Sequence, residues 1–166
     1  VEIASETGFT HLEVWAGKLD DYLRESSLDE LAHRMGSLGV RPWCINSIED
    51  ITHRDAGGRQ ELIARLMQLT AVARAIGAPS IVVVPGRRPA GFHPEDSLRD
   101  AVDVLRVMSD VAGETALAFE FLGKPGCAVS LLDMAVEVVT AVDRENVGMV
   151  IDTYHFHAGG SHLADL

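Results

Sequence analysis

Apolar residues along the chain fall into two alternating patterns. Short β-prone runs carry branched and aromatic side chains close together, and longer stretches space them three and four apart, as one face of a helix does. "VEIASETGF" reads as the last turns of a helix stopped at Gly8, and "THLEVW" (residues 10–15) as a strand. "SSLDELAHRMGSLG" opens on Ser with an acidic first turn and predicts a capped helix that ends at Gly39. "VRPWCINSI" (residues 40–48) is the next strand, followed by a helix with Leu62, Ile63, Leu66, Leu69, Val72, Ala73 and Ile76 on one stripe and Gly77 as its stop. "SIVVVPG" (residues 80–86) is apolar without alternation, the mark of a strand covered on both faces. Pro94 then opens a helix with Leu98, Val102, Leu105 and Met108 on one face. "TALAFEFLG" (residues 115–123) predicts a strand, "SLLDMAVEVVTAVDREN" a helix capped by Ser130, "VGMVIDTY" (residues 147–154) a strand, and "SHLADL" the start of another helix.

Five strands separated by helices, with no hairpin signal between them, call for a parallel α/β sheet. No G-x-G-x-x-G follows any strand, which removes the main support for a dinucleotide-binding fold. Glu13, Asn46, Glu120 and Asp152 lie at or near strand C-terminal ends, where (β/α)8 barrels build their sites. The fold class expected is therefore a parallel (β/α)8 TIM-barrel type. A full barrel takes about 250 residues; residues 1–166 read as one domain, an incomplete barrel of about strands 2 to 6 with their helices.

Composition narrows the partners. With 14 Lys plus Arg against 25 Asp plus Glu, the formal net charge of -11 repels a phosphate backbone, so no nucleic acid is expected. Cys44 and Cys127 stand far apart with no C-x-x-C pair, which fits a reducing cytoplasm. No apolar run reaches the roughly 18 residues that span a bilayer, and no membrane partner is expected. A sheet open at two edges would aggregate, pair with another chain or stay inactive, so a homo-oligomer and a non-catalytic fragment both stay in view.

The chemistry concentrates in two strands. Glu120 lies in "ALAFEFL" with the small Ala116 and Ala118 on its face, and only Lys124 is near enough in sequence to compensate it. A bound cation is the more economical partner for a carboxylate placed there. Asp152 ends the next strand, where it either caps the following turn or shares that cation with Glu120. Carboxylates plus an imidazole suit Mn, Mg, Co or Zn, and spacing does not choose among them. His155 and His157 flank Phe156, so an extended backbone points only one of them at the site, and His155 is the candidate for substrate contact. Glu13 is a third strand-end carboxylate, and Trp15 either walls a sugar-sized pocket or packs. "GRRP" (residues 86–89) either holds a phosphate or is a solvated loop. The other histidines are expected at the surface, and Cys127 has no histidine at a readable spacing that would make it a nucleophile.

"LAFEFLGKPGCAVSLLDMAVEVV" through "NVGMVIDTYHFHAGGSHLADL", with "GFTHLEVW" and "ARAIGAPSIVVVPG" upstream, resembles the sugar phosphate isomerase/epimerase superfamily of xylose isomerase-like barrels, and within it the inosose (2-keto-myo-inositol) isomerases of inositol catabolism. The resemblance implies one divalent metal held by four side chains, two of which match Glu120 and Asp152. It implies a substrate contact at His155, the histidine of a D-x-x-H motif. The other two ligands, a His and a Glu on later strands, have no counterpart in this sequence. The resemblance further implies an isomerase or epimerase acting on a small sugar or keto-inositol through an enediol, with Glu120 expected as the base; Glu13, from its strand-end position alone, is expected beside the substrate. Dehydration of an inosose or a dehydroshikimate-type substrate on the same scaffold is the alternative.

Overall fold

The computed structural model describes residues 1–165. Its elements are α1 (Glu2–Glu6), β1 (His11–Trp15), α2 (Ala16–Leu23), α3 (Leu28–Ser37), β2 (Arg41–Ile48), α4 (Ala56–Ile76), β3 (Ser80–Val83), α5 (Pro94–Ala112), β4 (Ala116–Glu120), α6 (Leu132–Val142), β5 (Val147–Val150) and α7 (Thr153–Gly159), with a 3-10 turn at Leu163–Asp165. The last residue of the "SHLADL" run, Leu166, lies outside the described residues.

The strands form one parallel sheet in the order β1-β2-β3-β4-β5. A parallel sheet whose strand order follows the chain, each strand joined to the next through a helix, is the arrangement expected of part of a (β/α)8 barrel. Helices cover one face. Ile45, Ile81, Val83, Leu117 and Phe119 pack there against Leu62, Leu66 and Leu69 of α4 and Leu105 and Met108 of α5. The opposite face carries a smaller cluster, Cys44, Val82 and Val84, with Ala118, Leu122 and Val150 against it. β3 is thus covered on both sides, as its unbroken apolar run predicts.

Several local expectations change. α2 went unpredicted because "AGKLDDYL" buries only Ala16 and Leu19, too thin a stripe to read as a helix. In α5 the buried face is Ser97, Ala101, Val104, Leu105, Met108, Ser109 and Ala112, with Leu98 and Val102 at its margin, so the small residues that the apolar count passed over are part of the buried stripe. Ser130 does not cap α6. Leu131 holds the N-cap position, and the Ser161 hydroxyl, 29 residues on, accepts from the Leu132 N–H at 2.9 Å. The strand expected to reach residue 154 stops at Val150, because Asp152 turns the chain into α7. His53 is not a surface residue without partners: it is half-buried, its ring lies 2.9 Å from the Ser97 hydroxyl, and its N–H donates to Asp100 at 2.7 Å.

Candidate metal centre

Glu120 is the last residue of β4. Strand alternation puts Phe119 into the helix-side core and Glu120 on the other face, above Ala118. Neighbouring β5 pairs Val150 with Glu120, and two residues later the chain reaches Asp152. Asp152 is the N-cap of α7; one carboxylate oxygen accepts from the Tyr154 N–H at 2.6 Å. Capping and clustering are therefore compatible roles for this one side chain, since a carboxylate has acceptor sites on both oxygens.

His155 lies in the first turn of α7 and is buried. One ligand atom from each of Glu120, Asp152 and His155 falls within 4.8 Å of the others. The sequence pointed His155 at substrate only; the structure brings it into the carboxylate pair itself. The helical backbone is the reason, since it carries the imidazole back over the N-terminal turn instead of out along an extended chain. The Nδ1 of His155 is buried with no hydrogen-bond partner among the described residues. His157, on the other side of the short helix, is exposed.

What brings α7 over the end of β4 is a contact between backbones. A Cβ on Gly123 would stand 2.1 Å from the His155 carbonyl oxygen and 2.6 Å from the Gly159 nitrogen. One on Gly159 would stand 2.6 Å from the Ser130 carbonyl oxygen. Only glycine permits either approach, and no local sequence signal shows this, because the partners lie 36 residues apart.

The electrostatics are those of a site short of positive charge. Burial pushes the Glu120 carboxyl up from its ordinary range, Asp152 and then Glu13 add to the rise, and Lys124 opposes it. No ion pair reaches Glu120 or Asp152 among the described residues. An unpartnered buried imidazole nitrogen beside an uncompensated carboxylate pair fits a divalent cation.

Glu13 faces the same side of the sheet without joining the trio. Its Oε1 accepts from the Asn46 amide at 3.0 Å and its Oε2 lies 3.4 Å from the Cys44 sulfur. The Cys44 thiol is pushed up to about 12, first by burial and then by Glu13, so it stays neutral and acts as a weak donor. Glu13, Asn46, Glu120 and Asp152 line one cavity of about 440 Å³, and Asn46, Glu120, Asp152 and His155 line an adjoining one of about 480 Å³. Trp15 is elsewhere: exposed, with the Lys18 ammonium 6.0 Å from its ring, it walls a separate cavity with Asp20 and Arg65. Cys127 is buried, and burial pushes its thiol up, the opposite of a nucleophile's need. No helix among the described residues is long and apolar enough to cross a membrane.

Comparison with known proteins agrees with this geometry. The xylose isomerase-like TIM barrel family matches residues 1–166. An inosose isomerase of Halalkalibacterium halodurans is 33% identical over 169 residues, covering 100% of this chain and 60% of the relative. The inosose isomerase of Bacillus subtilis is 32% identical, with 100% and 61% covered. The chain thus spans about 60% of the length of the curated relatives it matches. The crystal structure of the IolI protein with a bound zinc atom superposes at a TM-score of 0.94 and 32% identity, covering 99% of this chain and 60% of that one.

Proposed function

The chain belongs to the xylose isomerase-like TIM barrel family, and from that premise we propose that it carries the first-ligand half of an isomerase or epimerase acting on a keto-polyol of the inosose kind. Glu120, Asp152 and His155 hold one divalent metal, and the zinc in the IolI protein makes zinc the first ion to try. The observation that carries this reading is the trio itself, two carboxylates, one of them buried, and a buried imidazole nitrogen without a hydrogen-bond partner, with no cation among the described residues ion-paired to them.

A divalent metal held there supplies Lewis-acid stabilisation of the negative charge that develops on the substrate oxygens. Glu120 takes the proton from the carbon between carbonyl and hydroxyl. Asp152, fixed at the head of α7, holds its free oxygen in place beside Glu120. Glu13, its two oxygens occupied by Asn46 and Cys44, keeps lone pairs for a substrate hydroxyl. The two buried free cysteines fit a reducing cytoplasm.

The test follows a carbon-bound proton. Zinc-loaded protein incubated with a keto-inositol in deuterated water should wash deuterium into the carbon beside the carbonyl, seen by NMR. Glu120→Gln should lower that exchange by about a thousandfold, in the range that removal of a general base produces. Unchanged exchange in that variant would overturn the assignment.

A further inference from the structure

Trp15 closes β1 and stands at the N-cap of α2 with no loop between them, so its indole is delivered to the end of the sheet that also carries Glu120. The ring rests on the first turn of α2, where a Cβ on Gly17 would stand 3.4 Å from its Cε2 and Cζ2, and it stays 60% exposed. It walls a cavity of about 430 Å³, inside the range of about 300–1,000 Å³ usual for small-molecule sites. Ser47 and Glu49 line both this cavity and the one of about 480 Å³ beside the trio, so the two open at the same strand end.

The charged groups of the cavity select the ligand. Arg65 of α4 forks onto Asp20 of α2, with N···O distances of 2.8 and 2.6 Å. Arg54 donates to the Glu49 and Asp50 carbonyls at 3.0 and 2.5 Å. Both guanidiniums are therefore engaged, and the other charged residues lining the cavity, Glu49 and Glu61, are carboxylates. An anion finds no cation to meet it. An organic cation is repelled by the Lys18 ammonium, already 6.0 Å from the centre of the indole. What fits is a neutral molecule with an apolar face for the ring and hydroxyls for the carboxylates.

We infer that the Trp15 cavity binds a neutral polyhydroxylated ring, a sugar or cyclitol, with its C–H face on the indole and its hydroxyls on Glu49, Glu61 and the Asp20–Arg65 pair. The ring is either a free molecule or the far ring of a two-ring ligand whose other unit lies at the trio. The site needs no metal, which separates this inference from the isomerase reading above.

Saturation-transfer NMR titrations with D-glucose, the keto-disaccharide isomaltulose and tetramethylammonium, each in chelator and with zinc, test it. Glucose should bind in chelator, and Trp15→Ala should weaken it about tenfold or more, the scale of a lost aromatic contact. Trp15→Phe should restore most of that binding, and Trp43→Phe, at the other of the two tryptophans, should leave it unchanged. Gly17→Leu, which lifts the indole without removing it, should weaken glucose as well. Glucose and isomaltulose binding equally with and without zinc identifies a free ring. Isomaltulose binding about tenfold tighter than glucose, and only with zinc, identifies a ligand spanning both cavities. Sugar binding that survives Trp15→Ala, tetramethylammonium bound in place of the sugars, or no binding of either sugar overturns the inference.

Discussion

Glu120 is the side chain on which the chemistry depends, and its environment sets an acid-base test. Its carboxyl binds protons more readily in the fold than in the unfolded chain, because burial and the neighbouring Asp152 and Glu13 disfavour the charged form. A group raised in this way contributes stability below its unfolded pKa and loses it as pH rises through the folded value. The metal-free protein should therefore be less stable at pH 8 than it would be without that charge. Glu120→Gln is expected to raise its melting temperature at pH 8, with the gain vanishing on acidification below the folded pKa, as read by a calorimetric series in chelator. Excess zinc should reverse the order, since only the wild-type carboxylate gains from the ion. A melting-temperature difference between the two proteins that is independent of both pH and zinc would separate Glu120 from the cluster.

At the scale of elements, the site depends on how closely α7 seats on the end of β4. Gly123→Ala places a methyl group against the His155 carbonyl and the Gly159 nitrogen, both backbone atoms that no rotamer change can move. The expected cost is about 1–3 kcal/mol of stability, together with at least a tenfold loss of zinc affinity as His155 is pushed away. Thermal denaturation and zinc titration read the two effects; a variant that keeps wild-type affinity would show that the backbone contact does not position His155. This contact also marks where the sequence stops being legible. The β/α alternation, the doubly covered β3, the Gly77 stop and the strand-end carboxylates all rest on local periodicity and were readable. The helical turn that carries His155 to Glu120, the Ser161 cap of α6 and the Gly123 seat depend on partners 29 to 36 residues distant, and no local pattern encodes them. The Cys44 contact to Glu13 belongs with these, because it comes from strand pairing and a register shift between Leu12 and Glu13.

At the scale of the molecule, five parallel strands bring Glu13, Glu120 and Asp152 to one side of a single sheet, with the helices and the larger core on the other. The division of labour follows from strand alternation. Residues pointing to the helices supply the packing, and residues pointing away are free to be polar. A family pattern over residues 1–166 and a TM-score of 0.94 to a zinc-bearing relative place this arrangement among xylose isomerase-like barrels. The central claim is that the trio binds one metal ion, and metal stoichiometry tests it most directly. Protein stripped with chelator, reloaded with zinc and desalted should carry about one zinc per chain by elemental analysis, as three protein ligands support. Asp152→Asn and His155→Ala should each retain less than about a tenth of that in the same procedure. Zinc held equally by wild type and both variants, or by none of them, would contradict the account.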